Sequence, residues 1–132
     1  MLTNEQLLQK ALEAAKFAHV PYSKFHVGAA VECKDGTVFT GCNIEHSSYG
    51  ATCCAERTAM LKAVSEGHKD LARVAIYSPD SEGYAMPCGI CRQFMTEFNY
   101  DMELIIAKAN GEYKVWSLKQ LLPEAFTPES LL

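Results

Sequence analysis

Cys54-Ala55-Glu56-Arg57 and, some thirty positions later, Pro87-Cys88-Gly89-Ile90-Cys91-Arg92 decide how this chain is read. Together they offer three well-spaced thiols and a carboxylate two residues beyond the first of them. A structural zinc takes four protein ligands, whereas a catalytic zinc takes three and keeps its fourth position open. Cys54, Cys88 and Cys91 therefore read as ligands of one catalytic Zn²⁺ per subunit, and Glu56 as a proton carrier rather than a ligand. Either half alone is a weak signal; the pair is specific. The chemistry implied is metal-assisted hydrolysis.

Spacing carries the argument further. If Pro87 marks the start of a helix, Cys88 and Cys91 share its first turn with Cβ atoms roughly 5 to 6 Å apart. Tetrahedral Zn–S bonds of about 2.3 Å need sulfurs about 3.8 Å from one another, which that turn supplies by rotamer choice. Free amides at a helix start also favour thiolate. Cys54 and Glu56 do not face each other on a regular helix, so Cys54 belongs at the cap or first turn of a helix from about 54 to 66. Three thiolates on Zn²⁺ leave a negative centre, and Arg57 is the expected compensating guanidinium. Arg92 reads as a solvated helix residue.

These paired motifs, in a chain this short, resemble those of the small zinc-dependent cytidine deaminases. The resemblance extends through Pro21-Tyr22-Ser23-Lys24-Phe25, Val27-Gly28-Ala29-Ala30, Asn43-Ile44-Glu45 and Phe126. It implies a three-layer α/β/α fold with a five-stranded mixed sheet whose first and last hairpins are antiparallel. It implies hydrolytic deamination of cytidine and deoxycytidine to the uracil nucleosides, in pyrimidine salvage. Zinc-bound hydroxide attacks C4 and Glu56 shuttles the proton. It further implies Phe25, Asn43, Glu45, Tyr49, Ala55 and Phe126 as substrate contacts, Asn43 and Glu45 on the ribose, and a homotetramer in which the C-terminal aromatic reaches a neighbour's site.

Composition is compatible with that reading. At 132 residues, 48% hydrophobic and 21% charged, the chain is expected to form one domain, 1–132, large enough for a core. A net charge of −4 without a Lys/Arg stripe disfavours a nucleic-acid partner, since such binding rests on phosphate neutralisation; a small uncharged substrate fits better. Met1-Leu2-Thr3-Asn4-Glu5-Gln6 carries no signal-peptide pattern and no stretch approaches the ~18 apolar residues of a membrane span, so no membrane association and a cytoplasmic location are expected. There, cysteines serve as ligands or buried thiols rather than disulfides.

Along the chain, Thr3 and Gln6 form a capping box, and Leu8, Ala11, Leu12, Ala15 and Ala18 predict a helix from about 4 to 19 with His19 at its C-terminal end. Asp35-Gly36 predicts a two-residue hairpin turn between strands 26–34 and 37–42, with Cys33 opposite Val38 and Ala29 opposite Cys42. That register puts Val27, Ala29, Val31, Cys33, Val38, Thr40, Cys42 and Ile44 on the core face. Cys33, Cys42 and Cys53 read as packing residues, and His46 as a surface residue. Asn43 and Glu45 project to one side if the strand continues through them. Leu71–Tyr77 predicts a central strand, 88–98 a helix, and Asn110-Gly111 a second hairpin.

Three other readings stand beside this one. A blasticidin S-type aminohydrolase of the same superfamily is the nearest, with Asn43 and Glu45 arguing mildly against it. A non-catalytic module with a structural zinc needs a fourth ligand from Cys53, His46 or His68. A dithiol redox protein using Cys88 and Cys91 leaves Cys54 and Glu56 without a role.

Overall fold

The computed structural model describes residues 1–132. The elements follow in the order α1 (Asn4–Ala15), β1 (Gly28–Cys33), β2 (Val38–Cys42), α2 (Ala55–Ser65), β3 (Leu71–Tyr77), α3 (Gly89–Thr96), β4 (Glu103–Ala107), β5 (Tyr113–Ser117) and α4 (Leu118–Leu121). One five-stranded sheet runs β2-β1-β3-β4-β5. The pair β3 and β4 is parallel, while β1–β2 and β4–β5 are antiparallel hairpins. No helix is long and apolar enough to cross a membrane.

Three layers follow from where the apolar side chains go. Leu7, Leu8 and Ala11 of α1 pack on Ala30, Ala75 and Ile105 on one face. On the other, Ala59, Met60 and Met95 of α2 and α3 pack on Ala29, Val31, Val74, Ile76 and Leu104. Covering both faces explains why β3 and β4 read as near-continuous apolar runs. Arg73 is the exception in β3, and it is paired. Its guanidinium meets the fully buried Glu32 at 2.7 Å and donates to the carbonyl of Leu2 and the side chain of Asn4, while the Leu2 amide donates to the other Glu32 oxygen.

Two expectations are corrected. The first helix stops at Ala15, although its Thr3/Gln6 capping box forms as read. His19 lies beyond it and bridges Ile44, its amide donating to Asn43 and its carbonyl accepting from Glu45, so it is no helix cap. The first hairpin closes through three residues: the Cys33 amide donates to Thr37, and Gly36 adopts φ 91°. Ala29 therefore faces Gly41 and Gly28 faces Cys42. A three-residue loop with a left-handed glycine shifts the register by one, which flips every β2 side chain. Phe39 joins the core on the α2 side and Val38 turns to the α1 side.

That register brings Gly41 under α2. A Cβ there lies 2.5 Å from the Ala59 amide nitrogen and 2.8 Å from the Ala55 carbonyl, so helix backbone rests directly on the sheet. Gly41→Ala is expected to cost about 1–3 kcal/mol through overpacking and to depress turnover, because the pushed helix begins directly after Cys54. Thermal denaturation alongside an activity assay checks this; an unchanged melting temperature contradicts the close approach.

Candidate active site

Two helix starts converge. Cys54 is the N-cap of α2 and Cys88 the N-cap of α3, both with extended backbone, and neither side chain caps its own helix. Each is thereby free to turn toward a common point. Cys88 thus stands one position ahead of the first turn expected for it, and Cys91 lies on that turn. The Cys54 and Cys88 sulfurs are 3.6 Å apart, as are those of Cys88 and Cys91, close to the ~3.8 Å edge of a tetrahedron built on 2.3 Å Zn–S bonds. The three ligand atoms form one cluster that no other Cys, His, Asp or Glu joins. The residues fit a three-thiolate zinc centre with an open fourth position, and the helix amides supply positive potential.

Glu56 follows at once on α2, 3% exposed. Burial first, then the charge of Cys54, pushes its carboxyl up to about 7. The Cys54 thiol is lowered to about 5, first by its hydrogen bond with Cys91 and further by Arg57 and Cys88, against the opposing effect of burial; the bond with Cys54 and burial raise Cys91. Arg57 donates through Nη2 to the Cys54 sulfur at 3.7 Å and to the Thr52 carbonyl. Burial opposes its charge, but the Cys54 and Cys91 sulfurs outweigh that and hold it protonated. Its Nε is buried without a hydrogen-bond partner. A cation held against sulfur at that cost is what a negative metal centre requires.

Arg92 corrects its expectation. It is half-buried, donating through Nε to the Pro87 carbonyl at 2.9 Å and through Nη1 to Leu121 at 2.8 Å. It braces the start of α3 against the C-terminal segment.

A cleft of about 540 Å³ opens over Cys54, Ala55, Glu56 and Cys88, within the size range of small-molecule sites. Phe25, Asn43 and Glu45 line its outer part. Asn43 accepts from the Val27 amide and donates to the Phe25 carbonyl, so it shapes the loop that carries Phe25. Glu45 Oε1 accepts from the amides of Tyr22 and Ser23. Hydrogen bonding with Ser23, foremost with its side chain, and with Tyr22 lowers this carboxyl and keeps it ionised. The opposite wall is Ser81, Tyr84, Ala85 and Met86, which sequence reasoning missed. Its one sequence signal is position, since the connection from β3 must end at Cys88. His26 joins the two walls: its Nδ1 lies 2.8 Å from Asp80, and its amide donates to the same oxygen.

Other candidates lie elsewhere. Tyr49 is 74% exposed and stacks edge-on with Tyr22 beside a neighbouring recess, and Phe126, 56% exposed, sits beyond α3 with its carbonyl accepting from Gln93. Neither lines this chain's own cleft. Cys53 accepts from the Thr58 hydroxyl, His46 is exposed, and His68 stands with Cys33 and Asp35.

Residues 1–108 match the family described as the cytidine and deoxycytidylate deaminase zinc-binding region. A cytidine deaminase of Sporosarcina psychrophila is 45% identical over 96% of this chain and 93% of its own. One of Halalkalibacterium halodurans is 43% identical over 98% of each. The crystal structure of a cytidine deaminase from Burkholderia pseudomallei superimposes with a TM-score of 0.91 at 41% identity, covering 95% of this chain and all of the other. That of Mycobacterium tuberculosis gives 0.83 at 37% identity, over 96% and 98%. Sequence kinship along nearly the whole length, together with a shared fold, leaves one assignment: the chain belongs to the cytidine and deoxycytidylate deaminase zinc-binding family.

Proposed function

We propose that the protein catalyses hydrolytic deamination of cytidine and deoxycytidine to uridine and deoxyuridine. The observation that carries this is Glu56, buried at the floor of an open cleft beside Cys54 and Cys88 with its carboxyl near 7. Zinc held by the three sulfurs supplies Lewis-acid activation of water when bound. Glu56 takes a proton from the attacking water, delivers it to N3 of the pyrimidine, and then protonates the amine that leaves C4. A carboxyl poised near neutrality suits both directions of transfer. Arg57 holds charge against the sulfurs, and Ala55 and Phe25 flank the base. Asn43 and Glu45 serve the ribose, each having hydrogen-bonding capacity left beyond its loop contacts. Tyr49 and Phe126 serve a neighbouring subunit of a homotetramer, a reading supported by the exposure of Phe17, Tyr49 and Phe126 on one small chain.

The test is loss of ultraviolet absorbance of cytidine and matching release of ammonia, with and without a strong chelator, and with blasticidin S as competing substrate. Turnover of cytidine that the chelator abolishes is expected; preference for blasticidin S overturns the substrate assignment. The cluster without a fourth side-chain ligand argues against a structural zinc. The pH profile is a further check. Glu56 must be ionised to accept the first proton, so kcat/KM for cytidine is expected to fall on the acid side, with burial of the carboxyl holding the midpoint above the ordinary 4.5. A rate that stays flat down to pH 4 contradicts this role.

A further inference from the structure

At the opposite end of β1 from the cleft stands a second group of metal-binding side chains. Cys33 closes β1, Asp35 sits in the three-residue turn that follows, and His68 lies just past the end of α2, yet one ligand atom from each lies within 4.8 Å of the other two. Val27, ahead of the strand, borders the cleft; six strand residues on, Cys33 is roughly 20 Å away. The two groups are therefore separate.

All three positions are held by the fold. The Cys33 amide donates to Thr37 at 2.8 Å and its carbonyl accepts from Gly36 at 2.9 Å. Asp35 commits Oδ1 to the Thr37 amide, which leaves Oδ2 directed at His68 Nδ1, 3.5 Å away. That separation is too long for a strong hydrogen bond, but it matches the distance between two ligands of one tetrahedral ion bound at about 2.0–2.2 Å. The His68 ring rests against Phe39 with centroids 5.1 Å apart, and the His68 amide donates to Ala63. Charge also balances: a thiolate, a carboxylate and a neutral imidazole offset one divalent cation. Besides Asp35, Glu32 and Asp70 place negative potential at the Cys33 sulfur, which, after burial, raises its thiol. Lys34 and Lys69, exposed at the rim of the same recess, point the other way in charge.

We propose that Cys33, Asp35 and His68 form a second, non-catalytic site for a zinc-class divalent cation, weaker than the three-thiolate centre and completed by water. Binding forms a metal–sulfur bond and releases the Cys33 proton to solvent. The ion ties the β1–β2 turn to the connection between α2 and β3. It stabilises the domain without touching the reaction.

The experiment is equilibrium dialysis of the zinc-loaded enzyme against rising Zn²⁺, with metal content measured by elemental analysis, for the parent, Cys33→Ser and His68→Gln. The parent is expected to take up a second equivalent per chain. Both variants are expected to bind it at least about tenfold more weakly, since even the loss of an outer-sphere partner costs that much, and to deaminate at the parental rate. His68 is half-exposed, so H68Q keeps the test sound should Cys33→Ser fold poorly. One equivalent throughout the titration, or a second that persists unweakened in H68Q, overturns the proposal.

Discussion

Glu56→Gln is expected to lower kcat for cytidine by about 10²- to 10⁴-fold, the range for loss of a positioned proton carrier, while zinc content stays at the parental level. The amide keeps the shape of the carboxylate but cannot take a proton from water or return one to N3. None of the three sulfurs is altered. The same substitution has a signature in stability that a purely structural role does not predict. Because the folded-state value is raised from 4.5 to about 7, the ionised carboxylate costs the folded state up to about 3 kcal/mol above pH 7, and nothing below the unfolded value. Metal-free Glu56→Gln should therefore melt well above the metal-free parent at pH 8, and the two should converge near pH 4. A variant that turns over cytidine at near the parental rate removes Glu56 from the mechanism.

Cys88→Ala is expected to abolish detectable deamination and to weaken zinc binding by more than about 100-fold, beyond the cost of losing an outer-sphere partner. Its sulfur touches Cys54 and Cys91, and the residue is exposed. Little of the apolar core is lost with it. Chelator-treated parent and variant should accordingly melt together, whereas zinc should raise the melting temperature of the parent alone, since a ligand stabilises only the state that binds it. Full zinc content in the variant contradicts the ligand set.

The chemical centre was legible because its residues sit in short local patterns. Cys54 at the start of a helix, Glu56 two positions on, and Cys88 with Cys91 one turn apart are relations that backbone geometry alone constrains, and the structure differs only in setting Cys88 at the cap. Central strands were legible for a similar reason, being buried on both faces. What escaped depends on long-range contact. Asp35-Gly36 suggests a two-residue turn, but the Cys33–Thr37 pairing closes a three-residue one, and a single position decides which side chains of β2 see α2. The helical pattern past Ala15 was overridden when His19 paired with Asn43 and Glu45. Ser81 and Tyr84 gave no sign in sequence, because a cleft wall made by a loop has no periodicity. Arg92 looked solvated since its acceptors, Pro87 and Leu121, are backbone carbonyls that no residue type announces.

Chain ends are ordinarily where a domain frays first. Here Leu2 gives both its N–H and its C=O to the Glu32–Arg73 couple inside the sheet. Loss of Leu2 would thus strip partners from a sequestered charge, and its damage would register across the whole molecule instead of tidying a loose tail.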